Sequence, residues 1–76
     1  MAVVRFSNET AKSLELIVEP WVTKVTVPPG SKFGVHYPTS EDQPDTSCVE
    51  IHEGTVRFWC EGDTFEVELD GKIILT

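Results

Sequence analysis

No stretch of this 76-residue chain approaches the roughly 18 consecutive apolar residues of a transmembrane helix. The opening Met1-Ala2-Val3-Val4-Arg5-Phe6-Ser7-Asn8-Glu9 lacks the basic start and long apolar stretch of a signal peptide. The expected location is therefore the cytoplasm, where cysteines remain thiols. Basic clusters are missing too. Arg5, Lys12, Lys24, Lys32, Arg57 and Lys72 stand singly against thirteen acidic residues, for a formal charge of −7. Phosphate-backbone binding works through clustered Lys and Arg that release counterions. Neither nucleic acid nor an anionic membrane is an expected partner. Such acidity suits solubility or a basic protein partner.

Catalytic signatures are also absent. There is no Gly-x-Ser-x-Gly elbow and no glycine-rich phosphate loop. Carboxylates are plentiful, but they fall on faces expected to be wet, where nothing raises a pKa for acid–base work. No catalytic residue and no cofactor are expected.

The chain is long enough for one domain spanning residues 1–76. A fold of this size hides only about 60% of the surface its unfolded chain exposes. A core of that size seldom supplies more than about 3–5 kcal/mol, so a disulfide, metal or partner subunit is the usual supplement.

What the sequence does contain is a two-residue apolar period cut by turn residues. Candidate strands are Val3–Phe6, Leu14–Glu19, Thr23–Val27, Ser31–Tyr37, Ser47–His52, Thr55–Glu61, Thr64–Leu69 and Lys72–Leu75. Asn8–Ser13 is too short to nucleate a helix alone and reads as a turn. The fold class is all-β: a small antiparallel sandwich, or a partly open barrel, of short strands. Pro28-Pro29-Gly30, Glu53-Gly54, Gly62-Asp63 and Asp70-Gly71 are the turns, and Pro38–Thr46 is the one long loop.

The turns also set the register of the strands they join. Closing a hairpin at Glu53-Gly54 sets His52 against Thr55, Ile51 against Val56, Glu50 against Arg57 and Val49 against Phe58. Closing the next at Gly62-Asp63 sets Phe58 against Val67, Val56 against Leu69 and Arg57 against Glu68. Apolar residues meet apolar ones throughout, whereas a one-residue slip inverts every side chain. The expectation is a C-terminal meander over residues 47–75, with Glu50, Arg57 and Glu68 side by side on its outer face. By the same logic a Pro28–Gly30 loop pairs Val25 with Phe33.

The supplements look weak. Cys48 and Cys60 emerge on opposite sides of that ribbon, which disulfide geometry forbids. Cys48, Glu50 and His52 share a strand face, but alternate residues about 6.8 Å apart make common ligation of one ion awkward. His36 is the further candidate ligand, and no metal is expected. Asn8-Glu9-Thr10 matches the glycosylation sequon, which needs a secretory route.

Four segments carry resemblances. Gly30-Ser31-Lys32-Phe33-Gly34-Val35-His36 is similar to the opening of the first cupin motif, but Pro38 stands at the second histidine position and Glu41 arrives early for the glutamate. That likeness implies a cupin-like small-molecule or metal-binding barrel, with His36, His52 and Glu50 at the site. Phe6–Thr10, Glu19-Pro20-Trp21 and Val27-Pro28-Pro29-Gly30 resemble short, functionally uncharacterised bacterial all-β proteins. The Asn-x-Thr and Pro-Pro-Gly-Ser elements are also similar to the β domain of the von Hippel–Lindau protein, a peptide-binding sandwich, none of whose pocket residues matches here one for one.

The remaining oddities are apolar groups on faces expected to be wet. Trp59 falls on the outer face with Arg57, Ile17 lies between Glu15 and Glu19, and Trp21 follows Pro20. Either Ile73 and Leu75 or Ile74 also faces outward. Tryptophan is enriched in binding hot spots. The expected function is a non-enzymatic interaction module, binding a protein partner or a second copy through Trp59, Trp21, Ile17 and Arg57. The alternatives are the cupin-like barrel and an acidic inhibitor of a basic protein.

Overall fold

In the computed structural model, which describes residues 1–75, the alternation becomes eight strands. They are β1 (Ala2–Ser7), β2 (Leu14–Glu19), β3 (Thr23–Val27), β4 (Lys32–Tyr37), β5 (Cys48–His52), β6 (Thr55–Trp59), β7 (Glu66–Leu69) and β8 (Lys72–Leu75). A front sheet runs β1-β4-β7-β8 and a back sheet runs β3-β2-β6-β5. The two form a small sandwich, not a closed barrel.

Alternation explains the core. Leu16, Val18 and Val27 from the back sheet and Val35 and Val67 from the front are 0% exposed. Phe58 locks the layers together, with ring centroids 5.6 Å from Tyr37 and 6.5 Å from Phe6. Phe6 in turn stacks on Phe33 at 5.0 Å. Such pairs add about 0.5–1.5 kcal/mol beyond their buried area.

Two hairpins form as expected. β5 and β6 pair Cys48 with Trp59, Glu50 with Arg57 and His52 with Thr55. β7 and β8 join through Asp70 and Gly71, at φ 49° and 86°, the left-handed pair that suits the twist of a tight hairpin.

The meander does not form. β6 and β7 lie in different sheets, so Arg57 and Glu68 are not neighbours. Gly62 instead carries the chain across the sandwich. A side chain there would meet Pro38 Cδ at 3.1 Å and Pro38 O at 3.2 Å. The pairing of Val25 with Phe33 fails in the same way, because β3 pairs with β2 and β4 with β1. The expected faces were right in both cases: residues facing the core from opposite sheets match as well as residues paired within one sheet. An entirely antiparallel sandwich is corrected as well, since β2 and β6 run parallel, Ile17 beside Arg57.

A buried asparagine ties the loops. Asn8 is 0% exposed, and its Nδ2 donates to the carbonyls of Lys12, Val27 and Pro28 at 2.9, 3.0 and 3.2 Å. Its Oδ1 accepts from the Thr10 backbone N–H and hydroxyl at 3.0 and 2.6 Å. Its backbone completes the clasp with Ser31 and Gly30. The Asn-x-Thr and Pro-Pro-Gly elements thus form one structural unit, and Asn8 is spent inside it.

Candidate interaction surface

On the outer face of the front sheet, Arg5 and Glu68 stand either side of Gly34. A Cβ at Gly34 would lie 3.1 Å from Arg5 Cγ, so glycine leaves the path along which the arginine stem crosses β4. The guanidinium Nε then lies 3.2 Å from Glu68 Oε2, and His36 Nε2 lies 2.9 Å from Glu68 Oε1. Hydrogen bonding from Arg5 first, and from His36 second, holds the Glu68 carboxyl below the ordinary carboxylate value.

The outer face of the back sheet carries a second network. The Trp59 indole N–H donates to Glu50 Oε2 at 2.8 Å, and His52 Nε2 lies 3.0 Å from Glu50 Oε1. His52 and then Trp59 keep the Glu50 carboxyl below its ordinary value. Arg57 faces Glu50 in register but brings its Nε to 3.6 Å from Glu19 Oε2. That separation is too long for a hydrogen bond. Cys48 is exposed and Cys60 buried, both as free thiols.

These networks revise the expected site. Ile17 is only 5% exposed, not an outward contact, because it lies on a central strand between Lys24 and Arg57. The aliphatic stems of such neighbours cover an apolar side chain while their charged ends reach water. His36 and His52 lie on different sheets, so they do not join with Glu50 in one pocket. No group of three or more His, Cys, Asp or Glu among the described residues is arranged to hold a metal ion. Trp59 is exposed, yet its indole is tethered by Glu50.

The longest run of exposed aliphatics within one strand is on β8, although Ile51 on the edge strand β5, expected in the core opposite Val56, is singly more exposed at 78%. Ile73, Ile74 and Leu75 are 43%, 44% and 36% exposed. Regular alternation offers only one face at a time, but a register shift between Val67 and Glu68 breaks it, with Glu68 opposite Ile73 and Val67 opposite Leu75. Ile74 is the extra residue of this bulge. All three aliphatics are thereby left open to solvent.

The same end of the sandwich carries more apolar surface. Leu75 pairs with Val67, two residues beyond Phe65, whose ring centroid is 4.6 Å from that of Trp21. Trp21 and Val22 are exposed, and Val22 adopts φ 56°, a left-handed conformation that is an outlier for a β-branched residue.

No family model, curated protein or solved structure matches this chain. The functional reading therefore rests on the geometry of its own surface.

Two of the molecule's cavities are framed by strands and loops already named. One of about 250 Å³ opens between β1 and β5, floored by Phe6, Leu14, Phe33 and Val56 with His52 at its edge. The other, of about 290 Å³, lies under the loop after β4 between Pro38 and Asp45, which the Tyr37 hydroxyl holds by donating to Asp45. Among the described residues no helix is long and apolar enough to cross a membrane. Of the exposed groups, the expected set contained Trp21 and Trp59. It omitted β8 as a site, although the Ile73-Ile74-Leu75 run after an Asp-Gly turn was the available signal.

Proposed function

We propose that this chain is a non-enzymatic interaction module that engages a protein partner along β8. The observation that carries the reading is the exposure of three successive aliphatics, Ile73, Ile74 and Leu75, on a strand at the sheet edge. Edge strands present unpaired backbone N–H and C=O groups, and natural proteins usually blunt them with charge or proline. An exposed aliphatic edge suits strand addition, in which backbone hydrogen bonds supply affinity and alternate side chains supply specificity. Trp21 and Val22 at the same end extend the contact.

Affinity capture with variants tests this reading. One protein retained by the wild-type chain should be lost on Ile74→Lys and kept on Trp59→Ala, with circular dichroism confirming both folds. Retention on Ile74→Lys contradicts the reading. Loss on Trp59→Ala alone moves the surface to the back sheet.

A further inference from the structure

We infer that β8 takes up one extended segment of a basic partner protein as a fifth strand of the front sheet. The inference rests on the interaction reading above and names the partner's chemistry. Among the described residues no strand pairs with the outer side of β8. A row of backbone donors and acceptors is matched by another extended chain, since that repeats the same spacing.

The other three edges carry charge or proline, although β5 also exposes Ile51. β3 carries Lys24 and runs into Pro28-Pro29, β5 carries Glu50 and His52, and β1 sends Arg5 across its sheet. Beyond Lys72, β8 carries no charge. The partner segment therefore needs aliphatic side chains opposite Ile73, Ile74 and Leu75.

Charge specifies the rest. Glu68 is matched by Arg5 and His36, Glu50 by His52 and Glu19 by Arg57. The other ten acidic residues form no ion pair among the described residues, and three of them are Glu61, Asp63 and Glu66. These three lie on β7 and the segment leading into it, toward the end where Leu75 pairs with Val67. Lysine or arginine flanking the aliphatic stretch answers these carboxylates and the formal charge of −7. A second copy fits less well, because each brings the same −7.

Nuclear magnetic resonance titration of the ¹⁵N-labelled chain tests the inference. The probes are a short blocked peptide of alternating lysine and valine and its glutamate–valine counterpart, each taken to millimolar concentration. The basic peptide should shift the amide signals of Lys72–Leu75 and slow their hydrogen exchange about tenfold. Added salt should weaken the effect, Ile74→Lys should abolish it, and the acidic peptide should not reproduce it. Equal binding of both peptides at β8 overturns the basic partner and leaves strand addition standing. Failure of both to perturb β8 overturns strand addition as well. Concentration-dependent pairing of the chain with itself through β8, seen by sedimentation and the same amide signals, makes the occupant a second copy and overturns the basic partner.

Discussion

Arg5 reaches Glu68 across an intervening strand because Gly34 stands between them. The ion pair at 3.2 Å and the 3.1 Å approach of a Cβ at Gly34 to the arginine stem are two sides of one arrangement. The cross-sheet contact depends on a missing side chain.

Gly34→Ala should therefore uncouple the pair. A double-mutant cycle between Arg5→Ala and Glu68→Gln should show coupling in the wild-type background and little in the alanine background. The added methyl also presses on the Val4 carbonyl oxygen at 3.3 Å, so overpacking of about 1–3 kcal/mol should appear in chemical denaturation. Unchanged coupling would show that the stem does not use this path.

Acid should weaken the fold through the same carboxylate. The Glu68 carboxyl, hydrogen-bonded by Arg5 and His36, is held below its ordinary 4.5. A group lowered in the folded state contributes stability above its unfolded pKa and loses it as pH falls through the folded one. The decline belongs below about pH 4.5, with Glu50 contributing in the same sense through His52 and Trp59. Tm measured against pH should fall less steeply below that point in Glu68→Gln. Tyr37 acts at the other limit, since burial raises its hydroxyl above the ordinary 10.0. Its contribution is present below about pH 10 and lost as pH rises through the raised value.

Asn8→Ala should be among the most damaging single changes. It removes the donor shared by three carbonyls and the acceptor for Thr10. Each buried polar group left unpaired costs about 1–3 kcal/mol, a large part of what a domain this small possesses. The midpoint in urea should fall sharply, whereas Glu9→Ala, on an exposed side chain of the same turn, should leave it nearly unchanged.

Val22→Asn should stabilise the chain. Val22 holds φ 56° while largely exposed, so little buried area is lost. Asparagine tolerates the left-handed region in which other L residues pay about 1–2 kcal/mol. A gain of about 1 kcal/mol in the same denaturation measurement is the expected result.

The sequence made the strands legible because both outer layers are polar. Leu14–Glu19, Thr23–Val27 and Lys72–Leu75 were expected with the bounds the structure has. The Glu53-Gly54 hairpin was legible to the residue, since a two-residue turn fixes register. The path between sheets was not. Phe58 and Val67 face the same core from opposite layers, so their apolar match fits a hairpin as well as a sandwich. The pairing of β6 with β2 and of β7 with β4 distinguishes the two, and neither partnership is visible in the apolar pattern. Ile17 misled for a related reason. Alternation assigns its face correctly but does not reveal that Lys24 and Arg57 flank it there.

The edge of β8 decides the functional account. Amide hydrogen exchange of the chain, compared free and with the partner recovered by capture, reads that edge directly. Slower exchange at Ile73, Ile74 and Leu75 on binding, with the Trp59 face unchanged, is the result expected. Protection confined to β5 and β6, with β8 exchanging as freely as before, would contradict it.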